Sequence, residues 1–207
     1  ISMQNIVIVD YGMGNINSVK KQLERTSVHV TVSSEISVIH GADKLILPGV
    51  GHFKKAMDNL IELGLIDVLN QKVITKKTPV LGICLGMQLM ANKSEEGNAT
   101  GLGWIEGEVV RIKVNDSLRY KIPHVGWNSI VQQKTSVLNT HIEEDASMYF
   151  VHAYKFVAKN EADILHTTSY ETEFTSAVSK DNIFGVQYHP EKSQDEGLQI
   201  FKNFIAI

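Results

Sequence analysis

Residues 79–88, "PVLGICLGMQ", place the only cysteine of the chain, Cys84, between Gly82 and Gly86. The four residues before Cys84 form a short apolar run of the kind that is buried on both faces as a parallel strand, and "LGMQLMA" after it is rich in helix formers. The stretch therefore reads as strand, turn and helix, with the thiol on the turn. Working outward, the same rhythm recurs through the first half of the chain. Strands are predicted near 6–10, 29–33, 44–47 and 80–83, with amphipathic helices over 17–25 and 54–69, the second interrupted near Gly64. Beyond the cysteine the pattern changes to short alternating runs, "GEVVRIKV", "GWNSIV", "MYFVHAYKF", "TSAVS" and "IFGVQY", which extend the sheet as a mixed one. A last helix is expected over 197–204, started by Ser193 with Glu196 three residues on as a capping box. The fold class is α/β, a mixed, mostly parallel sheet flanked by helices.

The chain has 207 residues, 43% of them hydrophobic, which suits a single domain, taken as 3–207, with Ile1 and Ser2 ahead of Met3 read as an addition. A net charge of -3 with both signs interspersed offers no nucleic-acid footprint and no polybasic membrane patch. No apolar run approaches the roughly 20 residues that span a bilayer, and no leader is expected. One cysteine cannot close an internal disulfide, so a cytoplasmic protein is expected, and the sequons at Asn92, Asn98 and Asn115 are chance matches. Neither H-E-x-x-H nor a cysteine cluster is present, so no metal is called for, and "GMGN" at 12–15 lacks the full dinucleotide fingerprint, so no cofactor is called for either.

G-x-C-x-G at a strand-to-helix turn has the form of a nucleophile elbow, with sulfur in place of oxygen. Glycines on both sides let neighbouring backbone approach a sharply turned residue, and the Leu85 N–H at the helix start is placed to receive an oxyanion. The commoner fate of a cysteine is that of a small buried apolar residue, so a second signal is needed. It comes from "GVQYHPEKS". Here His189 and Glu191 are two apart, about 6.5 Å along an extended chain, and Pro190 restricts His189 to extended conformations. A carboxylate on one ring nitrogen fixes the tautomer and leaves the other for a nucleophile. The bland alternative is a surface histidine beside a solvated glutamate; His29, His40, His141 and His166 carry no such partner signal. A third element, Gly49-Val50-Gly51 after the strand "KLIL", lies at the sheet edge where α/β proteins bind ligands, and is assigned to the oxyanion hole.

In combination "GICLGMQ" and "HPEKS" resemble the class I glutamine amidotransferases, over essentially the whole chain. The resemblance implies a Cys84, His189 and Glu191 triad for hydrolysis of L-glutamine, oxyanion donors from Leu85 and a peptide within Gly49, Val50 and Gly51, and a glutamine site formed by Gln88, Glu96, Ala153 and Tyr154. "PHVGWN" at 123–128 and "MYFVHAY" at 148–154 resemble the branch that supplies ammonia for imidazole glycerol phosphate synthesis in histidine biosynthesis. That branch implies a (β/α)8-barrel cyclase as a separate partner in a heterodimer with an ammonia channel, contacted through Gly12, Gly14 and Asn15. It also implies a Pro48–Gly51 loop that switches between a closed and an open oxyanion site.

Two departures stand out: Tyr170-Glu171 where the family often has Tyr-Gly, and Val125 where methionine is more usual. They leave open a sister branch that feeds ammonia to amidation of a bacterial surface sugar. A cysteine peptidase, or a catalytically silent regulatory subunit, would not need His189, Glu191, Gln88 and Glu96 together.

Overall fold

The computed structural model describes residues 4–207; Ile1, Ser2 and Met3, the last being the expected first residue of the domain, lie outside them. In chain order the elements are β1 (Asn5–Val9), α1 (Ile16–Glu24), β2 (His29–Ser33), α2 (Ile36–His40), β3 (Lys44–Leu47), α3 (Phe53–Glu62), α4 (Ile66–Asn70) and β4 (Val80–Ile83). There follow α5 (Leu85–Gln88), β5 (Lys93–Ser94), β6 (Ala99–Thr100), β7 (Gly107–Arg111), β8 (His124–Ser129), β9 (Val131–Gln132), β10 (Ser147–His152), β11 (Tyr154–Ala158), β12 (Ile164–Tyr170), β13 (Thr172–Lys180), β14 (Ile183–Val186) and α6 (Gln194–Ile205).

Alternation along the first strands sets the layers. Val7 and Val9 face a core shared with α3 and α4, while Ile6 and Ile8 face a second core with Val19 and Leu23 of α1 and Phe201 and Phe204 of α6. The sheet order β2-β1-β3-β4-β14 is parallel throughout and continues antiparallel through β13, β11 and β7. Chain direction from β1 to β2 is opposite to that from β1 to β3, so ligands are expected beyond the carboxyl ends of these strands. The loops after β1, β3, β4 and β14 gather there. They carry Asn15, Gly49, Cys84 and His189.

The predicted break near Gly64 is real. Gly64 takes φ 68°, and the Leu65 N–H reaches back to the Leu60 carbonyl at 3.0 Å in a Schellman ending, so 54–69 forms α3 and α4 rather than one helix. The helix expected after Cys84 is only four residues long. Continuation is blocked because the Leu89, Met90 and Ala91 carbonyls are taken by the N–H groups of Leu102, Ile105 and Gly103.

Ser193 precedes α6, but it forms no capping box. Its hydroxyl donates to the His189 carbonyl at 2.6 Å and accepts from the Tyr149 N–H at 3.0 Å, tying the loop after β14 to β10. The run "MYFVHAYKF" is two strands. β10 pairs only with β8, in a separate two-stranded sheet, and β11 joins the main sheet after a corner at Ala153.

Candidate active site

Cys84 sits at φ 53°, ψ -108°, a backbone conformation that a residue with a β-carbon adopts at a cost of about 1–3 kcal/mol. It is held there by its own N–H on the Val186 carbonyl, 2.8 Å, and by the Gln88 N–H on its carbonyl, 3.2 Å. The flanking glycines are required by space. A β-carbon at Gly86 would lie 1.8 Å from the Leu47 carbonyl oxygen, and one at Gly82 would lie 2.7 Å from the Gly86 carbonyl oxygen. A strand, a following helix and a neighbouring strand end can meet this closely only without side chains, and the thiol is left facing a cavity. That cavity, of about 410 Å³, is lined by Cys84, Leu85 and Gln88 together with Val50, Gly51, Glu96 and the corner residues Val151 to Tyr154, and by Lys192.

Behind the thiol lies the imidazole of His189, whose Nδ1 is 2.6 Å from Glu191 Oε1. Both side chains are almost fully buried. The pairing expected from their spacing is therefore formed, but not along an extended strand. β14 ends at Val186, and Pro190–Lys192 is a turn of 3-10 helix, closed by the Lys192 N–H on the His189 carbonyl at 3.0 Å. His189 itself is extended, as the following proline requires. Burial pushes the imidazole pKa down. The charge and hydrogen bonding of Cys84, and the hydrogen bond and charge of Glu191, overcome this and raise it to about 10. Nε2 is buried with no hydrogen-bond partner within normal geometry, so what acts from the Cys84 side is chiefly the nearness of its charge, and the direction is upward.

The residues expected to form the oxyanion hole lie together, and two of them are bonded to each other. The Leu85 N–H is not free: it donates to the Gly49 carbonyl at 3.3 Å. Gly49 and Gly51 take φ 153° and 130°, values open to glycine, so the carbonyl comes from the loop that was assigned to supply the second donor. This conformation of the hole is closed.

Gln88 Nε2 donates to the Tyr154 carbonyl at 3.2 Å and to Gln187 Oε1 at 3.0 Å. Glu96 lines the cavity while one oxygen accepts the Phe53 N–H at the start of α3, 2.7 Å. That bond aims the carboxylate and leaves its other oxygen for a ligand. Ala153 and Tyr154 form the corner of the opposite wall.

Gly12, Gly14 and Asn15, the residues expected at a partner surface, form the turn after β1, with both glycines exposed and Asn15 half-buried. The Asn15 side chain turns inward and donates from Nδ2 to Glu191 Oε1, with Asn15 itself in the left-handed region at φ 76°. Gly12 lies beside Asn59 of α3, and Gly14 beside Val50 of the loop after β3.

Sequence reasoning missed Lys192, His152 and His124, and two exposed apolar residues, Val125 and Trp127, on β8. All but Lys192 fall in the segments "PHVGWN" and "MYFVHAY". Lys192 falls in "HPEKS", the one residue of that segment to which the sequence alone assigns no part. Among the described residues no group of three or more His, Cys, Asp or Glu is placed to hold a metal, and no helix is long and apolar enough to cross a membrane.

A strained cysteine on a strand-to-helix turn, backed by a buried histidine and carboxylate, has the arrangement that a thiol nucleophile requires. A family profile described as "Glutamine amidotransferase class-I" matches residues 7–207, and the chain belongs to that family. At 50% identity over 200 residues it resembles "Imidazole glycerol phosphate synthase subunit HisH 2" of Methanococcus maripaludis, covering 97% of this chain and 98% of that one. A protein of the same name from Pseudomonas aeruginosa is 46% identical over 98% of this chain and 99% of the relative. "Imidazole glycerol phosphate synthase subunit HisH" of Pelagibacter ubique is 43% identical over 98% and 100%.

Solved structures share the fold. PurLQS of Thermotoga maritima has a TM-score of 0.74 at 14% identity, covering 99% of each chain. The glutaminase domain of Trypanosoma brucei CTPS, solved with bound acivicin, has a TM-score of 0.67 at 18% identity, covering 98% of this chain and 92% of that one.

Proposed function

We propose that the chain is the glutaminase subunit of an imidazole glycerol phosphate synthase. Residues 3–207 form one glutaminase domain that hydrolyses L-glutamine to glutamate and ammonia, without a cofactor. The ammonia passes to a separate (β/α)8-barrel cyclase in the cytoplasmic synthesis of histidine. The observation that carries this reading is Cys84 in its strained turn, opening on a cavity of about 410 Å³ with the His189 and Glu191 pair behind it.

Cys84 Sγ attacks the side-chain amide carbon of glutamine, and the proton held by His189 goes to the departing nitrogen as ammonia leaves. Water then cleaves the glutamyl thioester with His189 as base, regenerating the thiol and releasing glutamate. Glu191 orients the ring and supports its charge. Glu96 and the corner at Ala153 and Tyr154 hold the amino-acid end of the substrate, with Gln88 fixing that corner. A carboxylate facing an α-ammonium is a charge-assisted contact.

The closed hole gives the partner a task. While the Gly49 carbonyl occupies the Leu85 N–H, an oxyanion at Cys84 lacks that donor; rotation of a peptide in the Pro48–Gly51 loop releases it. Loss of one such donor typically costs about 3–4 kcal/mol of transition-state stabilisation. Gly14 lies 3.4 Å from Val50 by the position of an added β-carbon, so a partner seated over the Gly12 to Asn15 turn presses on the switching loop. Val125 and Trp127 extend the partner surface along β8. β8 pairs with β10, whose Tyr149 carbonyl holds the His189 N–H at 2.9 Å. The names of the relatives described above favour the histidine branch and lend none to surface-sugar amidation. The intact triad weighs against a silent subunit.

Ammonia release from glutamine, measured for the chain alone and with a histidine-pathway cyclase carrying its nucleotide ligand, tests the reading. Slow release alone and strong stimulation by the liganded cyclase are expected. Equal rates in both conditions contradict the coupling, and release that survives Cys84→Ser contradicts the site.

A further inference from the structure

His152 and His124 stand directly opposite each other on β10 and β8, and both are buried. Their hydrogen bonds form a chain whose direction is set from its two ends. At one end His152 Nδ1 lies 2.8 Å from the Tyr154 carbonyl, which can only accept, so Nδ1 carries the proton. His152 Nε2 lies 2.9 Å from His124 Nδ1, and being the bare nitrogen of a neutral ring it accepts, so His124 Nδ1 also carries a proton. At the far end His124 Nε2 lies 3.3 Å from Asn128 Nδ2, an amide nitrogen that can only donate. The orientation of that amide is fixed independently. Asn128 Oδ1 accepts the Ser129 N–H at 2.8 Å, and Nδ2 also donates to the Ser169 carbonyl at 2.9 Å. Each ring gives one hydrogen bond and takes one. A proton added to either Nε2 would set two donors face to face, so the chain exists only with both rings neutral.

Its near end is in the glutamine pocket. The Tyr154 carbonyl accepts from both His152 and Gln88, so both of its lone pairs are engaged. This is the place where the chain turns from β10 into β11, the Ala153 carbonyl accepting the Ile112 N–H at 2.9 Å and the Val151 carbonyl lying 3.9 Å from Cys84 Sγ. The wall that faces the thiol is therefore a corner at Ala153, between the last residues of β10 and the first of β11, where the chain leaves the two-stranded sheet for the main one. His124 is in turn clamped between aromatic faces, stacked on Tyr170 at 4.1 Å and Phe150 at 4.9 Å between ring centroids.

We propose that His152 and His124 are positioning residues for glutamine: the directed chain from Asn128 through both rings fixes the corner formed by Val151, His152, Ala153 and Tyr154, the pocket wall facing Cys84. The glutamine in this proposal rests on the glutaminase reading. The surroundings agree with neutral rings. Burial lowers the His124 pKa to about 4; burial, opposed by the bond to Tyr154 and aided by the charges of His124 and His189, lowers that of His152 to about 3. The other titratable groups of the pocket are Cys84, Glu96 and Lys192, and Tyr170 faces His124.

Two measurements test it. Imidazole nitrogen NMR on the whole chain between pH 6 and 8 is expected to show His124 and His152 neutral, each with its proton on Nδ1; a proton on Nε2 of either ring, or an imidazolium, overturns the chain. The glutamine KM of the complex with the cyclase supplies the second. His124→Phe, which keeps a ring but no donor, is expected to raise KM roughly tenfold with kcat little changed, as for a lost buried hydrogen bond. His124→Asn, which returns an amide nitrogen at the δ position, is expected to bring KM most of the way back. An unchanged KM in His124→Phe, or the same KM in both variants, overturns the positioning role. If the wild-type complex releases no ammonia, the glutaminase reading fails by itself, and the ring protonation still decides whether the chain exists.

Discussion

Two histidine pairs flank the same cavity and behave oppositely. His189 with Glu191 and His152 with His124 are both buried, and burial presses on all three imidazoles in the same direction, toward the neutral form. Yet His189 is raised to about 10 and His152 lowered to about 3. The partner makes the difference. A carboxylate and an ionised cysteine sulfur offer negative charge to an imidazolium, whereas a second imidazole offers only one lone pair and, if charged, repulsion. On the function and the positioning role proposed above, one pair carries a proton through the reaction and the other stays still beside it.

The contrast breaks most completely when the carboxylate is neutralised. Glu191→Gln keeps the shape and an acceptor for Nδ1 but removes the carboxylate charge that, beside the Cys84 charge, lifts His189, and kcat for ammonia release by the activated complex is expected to fall by about two to four orders of magnitude. Chemical denaturation across pH sharpens it next, because the two pairs lose stability at opposite ends. For His189 the folded pKa is raised, so its stabilisation is complete below about pH 6.5 and is lost as pH climbs through about 10. His124, His152 and His166 have lowered folded pKa values, about 4, 3 and 3, so the unfolded chain takes up protons first and stability falls as pH drops below 6.5. The alkaline limb should flatten in Glu191→Gln while the acid limb stays.

Smaller effects follow farther from the ring. Asn15→Ala removes the amide that holds the same carboxylate oxygen as His189, and is expected to lower kcat about tenfold with little change in glutamine KM. Ser193→Ala removes the hydroxyl tie between the loop after β14 and β10, leaving the His189 N–H on the Tyr149 carbonyl, and should cost about 1–2 kcal/mol of unfolding free energy, with kcat reduced a fewfold.

The parallel half of the sheet, the elbow and the His189 and Glu191 pair were legible because each rests on local pattern: apolar runs, glycines around one thiol, a proline between two functional residues. What escaped depends on partners distant in sequence. β12 was missed because "ILHTTSY" is polar, yet Thr167, Thr168 and His166 are buried there with hydrogen bonds to Gln133, Ser176 and Asn139. The capping box at Ser193 failed because β10 and the His189 carbonyl compete for its hydroxyl. Glu171, one of the two departures from the family pattern, takes φ 64° at a position that favours glycine, and its carboxylate accepts the N–H groups of Asn115 and Asp116, an offset no local pattern announces. The paired imidazoles were hidden for the same reason: their meaning lies in the β8 and β10 register.

The most direct test of the account is the covalent state of Cys84 during turnover. Rapid acid quench of the cyclase-activated chain with glutamine, followed by peptide mass analysis, should find a glutamyl adduct confined to the peptide that contains Cys84, and none in Cys84→Ser. Ammonia release at full rate with no adduct, undiminished by Cys84→Ser, would contradict it.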